Sequence, residues 1–184
     1  ITEEGERGGR LNPSLNLVQS FEKLDNTFAP LAINTGSPTS YIYYDKPEDL
    51  FAGRDARLQG TVLVPGATFK NRPIDIWAGL ILGNGSILTG DQLGQLKTVN
   101  GVSVQVVGLS GPIEGYDGSA QGGFYMRKYN DPVPGSGQIG TQSEVWHVRY
   151  RYAEVLLNAA EAAFELGQAG VAAGYMNAVR ARAG

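Results

Sequence analysis

Tyr41, Tyr43, Tyr44 and Trp77 are the side chains in this sequence best suited to chemistry with a ligand. None falls in a helical pattern, and Asn71, Arg72 and Asp75 lie close to Trp77 along the chain. A flat ring with a polar tip stacks on the C–H face of a sugar, while amide, guanidinium and carboxylate neighbours bond its hydroxyls. The same rings also serve to close a core beneath loops, because tyrosine and tryptophan are often buried. These seven residues form the candidate glycan-binding set, with the core reading kept beside it.

Other chemistries find less support. His147 is the only histidine. A catalytic triad or a zinc site needs partners that the sequence does not signal, so His147 reads as structural. Glycosidases need two carboxylates about 5 to 9.5 Å apart. None of the 18 acids is marked as such a pair, and Glu3, Glu4 and Glu6 read as a solvated tail. The run from Gly135 to Gly140 fits GxGxxG, but Pro132 and Pro134 precede it where a dinucleotide loop needs a strand. Arg54 and Arg57 have the shape to grip a carboxylate. The favoured reading is that Asp55 caps or pairs and the arginines brace the fold. Cysteine is absent, which excludes disulfides, thiolate zinc sites and a thiol nucleophile. No catalytic residue, metal ligand or cofactor is expected.

Two helices are predicted to end the chain. Val145, Val148, Tyr152, Val155, Leu156, Ala159, Ala163 and Leu166 recur three or four residues apart, a one-face spacing. Ser143 is the expected N-cap, with Glu144 in the first turn. Gly167 is the expected stop. Trp146 and Tyr152 are expected in the core. Ala172, Tyr175, Met176 and Val179 define the second helix, and Arg180 and Arg182 sit at its C-terminal end. An Ala-rich pair of this kind looks like one tetratricopeptide-type unit. Solenoids need about three or more units, so the pair is expected to be part of a larger scaffold, and residues 1–184 an interior fragment of it.

The rest is loop-rich. Twenty-six glycines and nine prolines concentrate between residues 53 and 140, which predicts turns, short strands and shaped loops. A short helix is expected within 11–28, with Leu15, Val18, Phe21 and Leu24 as its apolar face and Asn12-Pro13 as its start. Residues 47–51 suit one helical turn. Strands are expected at Thr61–Val64, closed by Pro65-Gly66, and at Phe124–Tyr129. Asn100-Gly101 predicts a type I′ hairpin between Leu96–Val99 and Val102–Val107.

Hydrophobic residues make up 42% and charged residues 18%, a globular balance. The net charge of −3 and scattered basic residues weigh against nucleic acid and anionic membranes as partners. No apolar run approaches the roughly 18 residues of a membrane span.

Four passages resemble the SusD/RagB family, surface nutrient-binding lipoproteins of Bacteroidetes. They are Leu50–Gly66 (LFAGRDARLQGTVLVPG), Gly108–Pro112 with Gly122–Pro132 (GGFYMRKYNDP), Trp146–Gly167 with its Arg151–Leu157 core, and Asn177–Gly184 (NAVRARAG). The likeness is loose from about residue 11 and close over 50–66 and 122–184. Ala56 stands where the family usually has proline, and the family's upstream helices and downstream Glu-Arg-rich helix have no counterpart in residues 1–184. The resemblance implies non-catalytic capture of oligosaccharides or other nutrients, for delivery to a TonB-dependent outer-membrane transporter. It also implies a place on the outer-membrane surface, with the membrane reached only through a lipid anchor upstream of these residues.

The expected fold class is mixed α+β, mainly α in a full-length family member. A loop and short-strand region over 11–140 is followed by a helix–turn–helix unit over 143–184. Two rivals remain at this point: a protein-interaction module built on the helix pair, and a piece of a glycoside hydrolase.

Overall fold

The computed structural model describes residues 11–113, 119, 121–137 and 141–183. Glu3, Glu4 and Glu6, the Gln138–Gly140 part of the glycine run, and Gly184 lie outside the described residues. Among the described residues the fold is mixed α+β: four helices, one 3-10 turn and four short antiparallel strand pairs.

Helix α1 spans only Leu15–Gln19. Ser14, rather than Asn12-Pro13, starts it, its hydroxyl accepting from the Leu17 amide at 3.2 Å. The predicted continuation through Leu24 fails because residues 22–24 spend their backbone groups elsewhere. The Asp55 amide donates to the Glu22 carbonyl and the Leu24 amide to the Gly53 carbonyl, an antiparallel bridge centred on Lys23 and Arg54. Val18 is fully buried, while Leu24 is exposed.

The predicted turn at Pro47–Phe51 forms as a 3-10 turn. Helix α2 (Arg57–Thr61) occupies a stretch expected to lead straight into a strand. It leaves only Val62–Leu63 as strand β1, paired with Tyr125–Met126, the final strand β8. Tyr129 has φ 69°, so the chain turns away before the predicted strand end. The Pro65-Gly66 turn forms as expected, with Gly66 at φ 84°.

Three hairpins follow: β2 (Thr68–Phe69) with β3 (Arg72–Pro73), β4 (Gly79–Ile81) with β5 (Ile87–Thr89), and β6 (Leu96–Val99) with β7 (Val102–Gln105). The last is the predicted hairpin, with Asn100 at φ 50° and Gly101 at φ 80° as type I′ requires. Two apolar clusters sit on opposite faces of β1. Val18, Phe51, Leu58, Val62, Val64 and Phe124 form one, with the rings of Phe51 and Phe124 edge to face. Leu63, Phe69, Ile74, Ile76 and Tyr125 form the other. The alternation of Val62 and Leu63 between clusters is the period-2 signature of a strand buried on both sides.

Helices α3 (Tyr152–Glu165) and α4 (Ala169–Ala183) pack against each other. Gly167 stops α3 at φ 73°, and the Gln168 amide returns to the Ala163 carbonyl. The predicted start at Ser143 is wrong: α3 begins at Tyr152, and 143–151 carries no helix. Trp146, Val148, Tyr150 and Tyr152 also alternate two apart, and β-branched and aromatic residues lose rotamer freedom in helices. The stretch is tied instead to the loop before it. Ser143 donates to Asp131 at 2.9 Å, and the Tyr129 hydroxyl donates to the Val148 carbonyl at 3.2 Å. The expectation that Trp146 and Tyr152 are core residues also fails, since they are 85% and 74% exposed.

Candidate functional site

After β3 the chain runs extended, and alternation sorts its side chains. Ile74 and Ile76 are buried, which turns Asp75 and Trp77 the other way, where both are half-buried. The segment after β7 lies against them. The Gly108 amide donates to the Trp77 carbonyl at 2.8 Å and the Ser110 amide to the Asp75 carbonyl at 3.1 Å. Gln105 joins the two side chains. Its amide nitrogen donates to the Asp75 carboxylate, and its backbone carbonyl accepts from the Trp77 indole N–H, each at 3.3 Å. Tyr125 fastens this segment to the core by donating to the Ser110 carbonyl at 3.1 Å.

Glycine is required for that close approach. A Cβ on Gly108 would lie 1.9 Å from the Asp75 carbonyl oxygen, and one on Gly111 would lie 2.2 Å from that of Trp77. Gln105 is not among the seven predicted residues. Its signal was present, because Val104 and Val106 alternate around it and Val106 is fully buried.

The tyrosines are pinned by their hydroxyls. Tyr43, 54% exposed, donates to the Leu82 carbonyl at 2.8 Å. Tyr44 donates to the Ala32 carbonyl at 2.6 Å. Tyr41 is half-buried and bridges Asn34 through its backbone. Leu82 directly follows β4, which starts two residues after Trp77, so roughly 16 Å of extended chain joins Trp77 to the residue that holds Tyr43. Asn71, at φ 63°, and Arg72 sit on the β2–β3 hairpin, exposed. The structure therefore ties Asp75 to Trp77 through Gln105 and links Tyr43 to them along β4. Tyr41 and Tyr44 belong to the loop held at 32–34, and Asn71 and Arg72 to a separate turn.

The arginines act as braces. Arg54 donates to the backbone carbonyls of Phe21 at 2.9 Å and Ala29 at 2.5 Å, holding the 19–29 loop to the chain after the 3-10 turn. Asp55 is buried, accepts from the Arg57 amide at 2.8 Å and forms a bidentate ion pair with the Arg57 guanidinium. Hydrogen bonds from Arg57 hold the Asp55 carboxyl below its usual 3.8 despite burial. The Thr27 hydroxyl and then Lys23 hold Asp25 at about 2. At Asp131 the Val133 amide and then Ser143 act in the same direction. A carboxyl whose folded pKa is depressed adds stability above its unfolded value and loses it as the pH falls through the folded one. Asp55→Asn is therefore expected to lower the urea midpoint at neutral pH. The deficit should shrink as the pH falls below 3.8, and urea curves across that range for both proteins check it.

Two clefts formed by described residues lie away from the seven candidate residues. One of about 650 Å3 is lined by Phe28, Tyr129, Trp146 and Arg151 among others. The other, of about 610 Å3, runs between α2 and the α3–α4 pair. None of the seven predicted residues lines either one. Among the described residues there is no cluster of His, Asp or Glu able to hold a metal ion, and no helix long and apolar enough to cross a membrane.

The SusD family model matches residues 2–184. The chain belongs to the SusD family. A solved SusD-like carbohydrate-binding protein from Bacteroides fragilis NCTC 9343 is 26% identical, with a TM-score of 0.56 over 94% of this chain. A second SusD-like protein from the same strain is 22% identical, with a TM-score of 0.56 over 95% of this chain. The chain spans only 27% and 28% of the lengths of those two proteins. No curated protein sequence matches it.

Proposed function

We propose that this chain contributes to non-catalytic capture of oligosaccharides at the outer-membrane surface, for delivery to a TonB-dependent transporter. Family membership and the carbohydrate-binding relative support the reading. The observation that carries it is the state of Tyr43 and Trp77. Each spends its polar edge on a backbone carbonyl, which fixes the ring, and each keeps ring surface accessible. A fixed aromatic face loses little entropy on stacking. Asp75 and Gln105 then supply an acceptor and a donor beside Trp77. The seven residues Tyr41, Tyr43, Tyr44, Asn71, Arg72, Asp75 and Trp77 remain the proposed contact set, with Tyr43, Asp75 and Trp77 as its centre.

Two or three stacks at roughly 1 kcal/mol each, with a few net hydrogen bonds of similar size, total about −4 to −6 kcal/mol. That is millimolar to tens-of-micromolar affinity. Weak capture suits a protein held beside its transporter, where tethering raises the effective ligand concentration. The displaced carboxyls among the described residues are all lowered. A glycosidase acid needs the opposite shift.

Isothermal titration against a panel of neutral and acidic oligosaccharides tests the proposal. Trp77→Ala and Tyr43→Ala are each expected to weaken binding about five- to tenfold. Tyr43→Phe keeps the ring and should fall between wild type and Tyr43→Ala. Binding that ignores all three substitutions would remove these rings from the site.

A further inference from the structure

Asp75 carries a charge that its structural task does not need. It is half-buried beside Trp77, accepts from the Gln105 amide at 3.3 Å, and forms no ion pair among the described residues. An asparagine would accept that bond as well. Partial burial of an unpaired carboxylate costs stability. The charge is therefore a burden on the fold, and its use lies outside the protein's own contacts.

The surroundings leave that charge unopposed. Asp75 is the only charged side chain in residues 73–90 and 98–113, the stretches that carry Trp77 and Gln105. Lys97 pairs with Val104 in the β6–β7 register, so alternation sends it to the face opposite Gln105. Its ammonium donates to the Thr89 carbonyl instead. Beside Tyr43 the nearest charges along the chain, Asp45 and Lys46, are of opposite sign. Asp75 and Trp77 lie two residues apart in extended chain, roughly 6.6 Å, and point the same way. A pyranose stacked on the indole therefore carries its edge substituents toward Asp75. Two hydroxyls there can donate to the two carboxylate oxygens in charge-assisted bonds. A ligand carboxylate or sulfate in that place meets a like charge with no cation to offset it. A protonated amine gains an opposite one.

We propose that Asp75 sets the charge class of the ligand: the Trp77 surface takes neutral and amino-bearing sugars and rejects uronic acids and sulfated sugars. The inference rests on the sugar-binding reading above and adds a selectivity to it.

The test is isothermal titration of the longest natural polypeptide that contains these residues. Cello-, malto-, manno- and galacto-oligosaccharides are each compared with two counterparts altered only at the primary alcohol. In one it is oxidised to a carboxylate, and in the other it is replaced by an amine. Only binding that Trp77→Ala weakens is counted. At low salt the neutral form should bind about tenfold more tightly than the uronate, and the amine more tightly still. The order should compress at about 0.5 M salt. Asp75→Asn keeps an acceptor for Gln105 but removes the charge. It should weaken neutral binding about two- to fivefold and bring the three forms within about twofold of one another. Misfolding would lower all three together. Trp77-dependent binding in which the uronate equals or exceeds the neutral form would overturn the inference and leave the sugar surface standing. So would an order that survives Asp75→Asn, or one that high salt leaves intact in the wild type. Absence of any Trp77-dependent binding would overturn both.

Discussion

Arg54→Ala is expected to destabilise the protein by about 3 kcal/mol and to lower the urea midpoint accordingly. The guanidinium is half-buried and satisfies the carbonyls of Phe21 and Ala29, with a long third contact to Gln19 at 3.5 Å. Hydrogen bonds involving a charged group contribute about 1.5–3 kcal/mol each, and truncation leaves their acceptors without a partner. The loss should centre on 19–29, whose backbone bridge to 53–55 the arginine locks. Hydrogen exchange at the Leu24 amide, which donates to Gly53 at 2.9 Å, reports it. Arg54→Lys should recover only part of the stability, because a single ammonium lacks the planar fork that reaches two carbonyls. A midpoint unchanged in the alanine variant would show that the loop holds without its brace.

Gly108→Ala should cost about 3 kcal/mol, at the upper end of overpacking penalties. The clash is with backbone: the new Cβ would meet the Asp75 carbonyl oxygen at 1.9 Å and its carbon at 2.5 Å. No side-chain rotation relieves that, so the segments 75–78 and 105–111 must separate. Their separation breaks the Gln105 contacts to Asp75 and Trp77, so ligand binding should weaken along with stability. Gly60→Ala is the matched control. Nothing lies within 4 Å of its Cβ position, and alanine in a helix is favoured over glycine by roughly 0.5–1 kcal/mol. Thermal melts of the two variants should move in opposite directions.

Local chemistry was legible wherever one dipeptide or one residue decides the backbone. Asn100, Gly101, Gly66 and Gly167 each adopt the positive φ that their predicted turns and stop require. The Lys70-Asn71 turn carries no clear sequence signal, although both residues adopt positive φ, because lysine is not a residue that marks such a turn. The helix starts later than predicted for a physical reason. The positions from Val145 to Tyr152 satisfy both a helical and an alternating pattern, and side-chain entropy decides against helix. Burial was least legible. Trp146 and Tyr152 have the composition of core residues, yet burial depends on which surfaces meet them, and among the described residues none covers them fully.

The same limit applies to the candidate site. The sequence places Asp75 near Trp77, and the alternation of Ile74 and Ile76 orients them. That Gln105 bridges them, and that Tyr43 reaches Leu82, depends on non-local pairing. Adjacency along the chain also grouped residues that the fold separates: Asn71 and Arg72 sit on their own turn.

The two tryptophans give the most direct measurement. Trp77 belongs to the proposed sugar surface, and Trp146, the only other tryptophan, lies outside it. The indole N–H resonances of both can be followed by NMR while the oligosaccharide panel is titrated. At least one sugar should shift the Trp77 indole signal saturably, at millimolar to tens-of-micromolar concentration, and leave that of Trp146 in place. A response at Trp146 with Trp77 unmoved, or silence from both across the whole panel, would contradict the assignment of this surface.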